Sequence, residues 1–204
     1  MRVSINQPYA FPIREWYGLL ECDLHVVLDD AQHIRRGFGH RNQLRDRNGA
    51  LQWLTLPLKH APQDTLIKDM QFADDAQDRW AEQVMRFPAV FRLPYDVFYS
   101  FMQVHGRFVD YAVDMMEVCA WRLGIIPAFQ WASALDVSPD LRGQDRIIAI
   151  CKAVGATEYL NSPGGRSLYD QAAFEREGIK LEFLPDYVGP FESVLETLAE
   201  RKVA

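Results

Sequence analysis

The segment His33-Ile34-Arg35-Arg36-Gly37-Phe38-Gly39-His40-Arg41-Asn42-Gln43-Leu44-Arg45-Asp46-Arg47 holds the residues best suited to chemistry in this chain. Five arginines and two histidines stand there against one acid, inside a protein of formal charge -6. Positive charge concentrated in an otherwise acidic chain points to an anionic partner. Arginine presents a planar fork of donors that meets a phosphate or carboxylate with two bonds, so Arg35, Arg36, Arg41 and Arg45 are candidate substrate-binding residues. Gly37 and Gly39 would let backbone amides approach the same group. His40 is the candidate general base, because its ordinary pKa lies near neutrality and flanking guanidinium charge favours its neutral form.

The elements around this segment must place those groups. His25-Val26-Val27-Leu28 is a near-continuous apolar run closed by Asp29-Asp30, the pattern of a strand buried on both faces that surfaces at its carboxyl end. Ligands of open α/β sheets bind outside such ends. Asp29 and Asp30 are therefore candidates to accept a proton or orient a substrate ammonium. Consecutive strand residues face opposite ways, so one of the pair enters the site, and Asp30 is the stronger candidate. Gln7 follows a first strand, Arg2 to Asn6, and its amide would reach a ligand at the same edge. The loop Ser162-Pro163-Gly164-Gly165-Arg166 joins a strand to a helix, so Gly164, Gly165 and Arg166 are candidate anion contacts. His25 reads as a core-strand residue, and His60 and His105 carry no signal.

Further along, Trp53 to Leu58 is rich in strand formers, with Pro57 placing it on an edge or ending it. Residues 74–124 form a helical middle section: apolar spacing predicts helices from Ala76 to Phe87, Pro94 to His105 and Arg107 to Leu123, the last ended by Gly124. Arg146 to Val154 follows as a helix and Glu158 to Asn161 as a strand. A helix from Leu168 to Glu177 is capped by Ser167 with Asp170, Lys180 to Leu184 is a strand, and Pro190 opens a last helix. Strands alternating with helices predict an α/β fold, a mostly parallel sheet flanked by helices, with residues 1–204 as a single domain.

Composition bounds the rest. Apolar residues make up 49% and charged residues 25%, enough to bury a core and far from disordered or collagen-like chains. No apolar run approaches a membrane span and the first residues lack a signal-peptide core, so a cytoplasmic protein without membrane contact is expected. Cys22, Cys119 and Cys151 are too few and scattered for a disulfide frame or zinc knuckle. No Walker loop, GxGxxG, HExxH or nucleophile elbow is present, and neither a metal nor another cofactor is expected.

Several blocks together are similar to the WbqC-like family: Gln7-Pro8, Trp16-Tyr17-Gly18, Val27-Leu28-Asp29-Asp30-Ala31-Gln32, His40-Arg41-Asn42-Gln43-Leu44 and Trp53-Leu54-Thr55-Leu56-Pro57-Leu58. Asp145-Arg146-Ile147-Ile148 and the stretch from Gly155 to Arg166 resemble later blocks of that family. The chain departs from it at Asn161-Ser162-Pro163, where the family has Ser-Gly-Pro, and in a shortened segment after Phe183. The resemblance adds Asn42 to the substrate-binding set. It implies a transferase that attaches an amino acid, such as glycine, to an activated or amino-bearing acceptor, foremost a nucleotide-linked sugar of surface-polysaccharide synthesis. A second reading is a phage enzyme placing an amino acid on pyrophosphorylated 5-hydroxymethyluracil in DNA. A third is a binding module that holds a nucleotide or glycan without chemistry. The implied partners are an amino acid and an anionic or pyrophosphorylated acceptor, with DNA in the second reading.

Overall fold

The computed structural model describes residues 1–200; residues 201–204, the end of the expected domain, lie outside the described residues. The chain divides into two compact units, one formed by residues 1–7, 15–29 and 126–188 and the other, among the described residues, by residues 8–14, 30–125 and 189–200.

The first unit is built on a five-stranded sheet. Numbered along the whole chain, its strands are β1 (Arg2–Asn6), β2 (Leu24–Val27), β5 (Phe129–Trp131), β6 (Glu158–Asn161) and β7 (Lys180–Phe183). They lie in the order β5-β2-β1-β6-β7, and every pairing is parallel. Helices α4 (Gly143–Ala153) and α5 (Gln171–Arg176) connect β5 to β6 and β6 to β7. The fold is therefore α/β, a mostly parallel sheet flanked by helices. Val3, Ile5, Val26 and Tyr159 of the sheet share one apolar core with Ile147, Ile150 and Cys151 of α4 and Phe174 of α5. The medium around Cys151 pushes its thiol up to about 12, an inert core group.

A polar pair is sealed inside that sheet. Ser4 and His25 are register partners on β1 and β2, and Ser4 Oγ lies 2.7 Å from His25 Nδ1. The Ser4 hydroxyl donates its proton to the Leu19 carbonyl at 2.6 Å, so His25 donates from Nδ1 and keeps a lone pair on Nε2. Burial holds His25 down to about 3, as expected for an imidazole that has no water to solvate its charge.

The second unit carries the antiparallel ribbon of β3 (Arg41–Arg45) and β4 (Leu51–Thr55), with helices α1 (Ala76–Val84), α2 (Tyr95–Phe101), α3 (Phe108–Leu123) and α6 (Val194–Glu200). Its core stacks aromatic rings: Phe11 lies 6.3 Å from Trp80 and 6.0 Å from Phe101, and the Trp80 indole donates to the Phe101 carbonyl at 2.9 Å. The expected helix ending at Gly124 is observed, with Gly124 left-handed at φ 86.

The chain from Arg14 to Leu20 is a 3-10 turn. Two other stretches differ from the sequence reading. The chain from Pro163 to Leu168 is also a 3-10 turn, so α5 starts later and Asp170 caps it alone, accepting from the Ala172 amide at 3.1 Å. Ser167 sits inside the preceding turn and caps nothing. Residues 41–45, in the arginine-rich segment to which the sequence reading assigned no strand, form β3, because Asn48-Gly49 turns the chain back on itself with Gly49 at φ 79.

Candidate functional site

In the first unit, the chain runs from β1 to β2 and β5 on one side, then returns to β6 and β7 on the other. The reversal falls between β1 and β6, and their carboxyl ends are where an open parallel sheet leaves a crevice. Gln7 follows β1 there, and the Gly164-Gly165-Arg166 turn follows β6. Gly165 is buried, and a Cβ on it would stand 2.5 Å from Asn161 Nδ2, so packing demands a glycine. Gly164 is exposed, with nothing within 4 Å of the same construction. Arg166 is tethered: its guanidinium donates to the Leu184 carbonyl at 3.3 Å, stands 3.9 Å from Asp186, and lies 5.4 Å from the Phe183 ring.

Asp29 lies two residues past the end of β2 in this unit and is buried. Its Oδ1 accepts from the Ser133 amide at 2.9 Å and its Oδ2 from the Ser133 hydroxyl at 2.5 Å. Both oxygens thus fasten the turn after β5. Asp30 is half-buried and begins the long middle segment of the second unit.

The arginines of the second unit do not converge. Arg45 pairs with Glu192 at 2.8 Å, Arg47 donates to the Met85 carbonyl at 3.1 Å, and Arg36 takes no hydrogen bond or ion pair among the described residues. Arg41 donates to the carbonyls of Arg36 and Gly37 and lies 4.2 Å over the Trp53 indole. Gly37 spends its amide on the Ile34 carbonyl, so it is not offered to a ligand. Asn42 is buried and structural: Nδ2 donates to the Phe11 carbonyl and Oδ1 accepts from the Gln43 amide. Arg35 lines a cavity, where it also donates to the Ala61 carbonyl.

That cavity is a recess of about 420 Å³ in the second unit, lined by His33, Arg35, His40, Lys59, His60 and Arg79 together with Gln83 and the chain from Thr55 to Pro62. No carboxylate lines it among the described residues. Lys59 reaches Asp74 at 2.7 Å and Arg79 reaches Asp75 at 3.4 Å, so two of the cations are matched by acids at the start of α1. His40 is 7% exposed, and its ring stands 4.9 Å from that of His33. Burial first, then His33 and the Arg41 charge, lower His40 to about 4. Burial and Arg35 lower His33 in the same direction. Near neutral pH both imidazoles are therefore uncharged. His40 Nδ1 is sealed from water with no partner, and no carboxylate orients the ring as in a serine-protease triad.

Sequence reasoning located His40 and Arg35 but missed Lys59, His60, Arg79 and Gln83. These come from the strand exit after β4 and from α1, and no spacing in the sequence links them. A partial signal existed in Lys59-His60 directly after Pro57, where a strand is forced to end. Among the described residues, no group of three or more His, Cys, Asp or Glu side chains is arranged to hold a metal ion. No helix among them is long and apolar enough to cross a membrane.

Comparison with known proteins agrees with the residue blocks. The chain is 23% identical over 201 residues to the uncharacterized protein Rv1507c of Mycobacterium tuberculosis, covering 92% of this chain and 83% of that protein. No solved structure matches. The model of the WbqC-like protein family matches residues 7–192, and the chain belongs to that family.

Proposed function

We propose that the protein is a transferase that joins an amino acid to a phosphate-bearing acceptor, foremost a nucleotide-linked sugar, with glycine as the amino acid. The observation that carries this reading is the placement of a neutral His40 imidazole in a recess that also holds the cations of Arg35, Lys59 and Arg79. An amino-acid amine is protonated near neutral pH and cannot attack until it loses a proton, which a neutral imidazole accepts. Where the acceptor carries a phosphate leaving group, the amine nitrogen bonds to the acceptor carbon, the carbon–oxygen bond breaks, and the electron pair departs on the phosphate. Arg35, Lys59 and Arg79 stabilise that developing charge. Where the acceptor carries the amine, the acceptor nitrogen bonds to the carbonyl carbon of an amino acid activated as a phosphate anhydride, the carbonyl carbon–phosphate oxygen bond breaks, the phosphate leaves with the electron pair, and His40 takes the proton from the nitrogen. Neither route needs a covalent enzyme intermediate.

The test is mass spectrometry of the protein incubated with glycine and nucleotide-linked sugars, in activated and amino forms. A glycine-bearing product, lost in His40→Gln while nucleotide binding persists, supports the reading. Binding without product from any of these donors and acceptors assigns the recess to a binding module instead.

A further inference from the structure

The solvent face of the β3–β4 ribbon combines stacking rings with unneutralised positive charge. Side chains alternate along the ribbon: Asn42, Leu44 and Leu54 are buried, whereas Arg41, Gln43, Arg45 and Trp53 lie on the other face. Trp53 is 37% exposed, and Phe38 and Phe191 beside it are 43% and 50% exposed. Phe38 lies 5.5 Å from Trp53 and 6.0 Å from Phe191, at interplanar angles of 49° and 36°, so the three rings form one aromatic cluster, with the Arg41 guanidinium over one face of Trp53. Large rings left half in water on a two-stranded ribbon are costly unless something covers them.

Charge on the same stretch selects the cover. Arg41 and Arg47 bond only to backbone carbonyls, and Arg36 meets no partner among the described residues, so three guanidinium charges lack a carboxylate in a protein of net charge -6. Arg41 and Arg45 share the ribbon face about 13 Å apart, four residues at the strand rise. A string of cations beside exposed rings matches a polyanion that offers flat aromatic faces. Duplex DNA hides its base faces, and an acidic peptide has charge without rings, whereas an unpaired strand supplies both phosphates and bases. We infer that this face binds single-stranded nucleic acid, with bases on Phe38, Trp53 and Phe191 and phosphates on Arg36, Arg41 and Arg47. The inference is independent of the transfer reading, since it concerns a different set of side chains and is measured without turnover.

The experiment is fluorescence anisotropy of a labelled twelve-residue oligothymidylate with the full chain. Binding is expected to weaken linearly on a log–log plot against salt. Trp53→Ala and Phe38→Ala are each expected to weaken it about tenfold, with Trp53→Phe restoring most of the loss. Arg36→Gln, which changes an exposed side chain and keeps the carbonyl that accepts from Arg41, is expected to reduce the salt slope by about 0.7 without changing the melting temperature. Lys59→Ala, in the recess, is expected to leave oligonucleotide affinity unchanged. The inference is overturned by no binding at about 50 mM salt, by equal affinity in the Trp53, Phe38 and Arg36 variants, by preference for duplex, or by equally effective displacement with polyglutamate or a mononucleotide.

Discussion

Ser133 donates twice to Asp29, once from its amide and once from its hydroxyl, and so occupies both carboxylate oxygens at the tip of β2. A buried carboxylate without these donors would carry its full desolvation cost. Ser133→Ala removes the 2.5 Å bond and is expected to destabilise the fold by about 1–3 kcal/mol, read as a lower denaturation midpoint with an unchanged slope. If Asp29 serves only this fastening, Asp29→Asn will lose stability without a matching change in the pH profile of turnover.

Glycines 164 and 165 are neighbours with opposite tolerance. A methyl at Gly165 meets Asn161 Nδ2 at 2.5 Å and the Tyr169 ring at 3.3 Å, whereas one at Gly164 meets nothing. Gly165→Ala is expected to cost about 1–3 kcal/mol and Gly164→Ala less than about 0.5 kcal/mol, measured by chemical denaturation. Equal costs would show that the turn relaxes freely.

Acid should weaken the protein through its histidines. His25 and His40 titrate at about 3 and about 4 when folded, against 6.5 when unfolded, so the unfolded chain binds more protons between those values. Their contribution is complete above pH 6.5 and falls as pH drops towards 4 and then 3, by about 3 kcal/mol for His40 alone. Urea denaturation at stepped pH checks this, and His40→Gln should make the slope between pH 6.5 and 4 shallower.

The same lowering shapes catalysis. If His40 is the base, the acid limb of kcat in the transfer assay lies near 4 rather than 6.5, giving a rate insensitive to His40 protonation from about pH 5 to 7. An acid limb at 6.5 would mean the ring is hydrated in the working enzyme.

Asp74 competes with any anion for Lys59. It lies 2.7 Å from the ammonium and its side chain is 92% exposed, so the pairing costs little to break. Asp74→Asn is expected to tighten inorganic pyrophosphate binding severalfold in calorimetry, and Lys59→Ala to weaken it. No change in either variant would place the anion elsewhere.

Much of the fold was legible because its signals are local. The run ending at Asp29 gave β2, Gly124 gave the end of α3, and Glu158 to Asn161 gave β6 to the residue. β5 is three residues long, too short to show a period, and was not foreseen. Asn48-Gly49 is a strong hairpin signal that the surrounding arginines obscured, and reading it would have turned the arginine-rich segment into a ribbon. Both ribbon arginines, Arg41 and Arg45, then had to fall on the face opposite Asn42 and Leu44, because strand side chains alternate. The recess was less legible for a different reason: Lys59, His60 and Arg79 meet Arg35 and His40 through tertiary packing, which leaves no spacing to find.

The pairing of β1 with β6 imposes an order on biosynthesis. The amine of Met1 donates to Thr157 Oγ1 across 156 residues of sequence, and Arg2 to Ser4 hold register with Glu158 to Leu160. While the nascent chain leaves the ribosome, one edge of the central strand stays bare until residues 158–160 have been made. Ribosome stalling in that interval would expose an apolar strand edge to other nascent chains, making this stage the one most in need of chaperone cover.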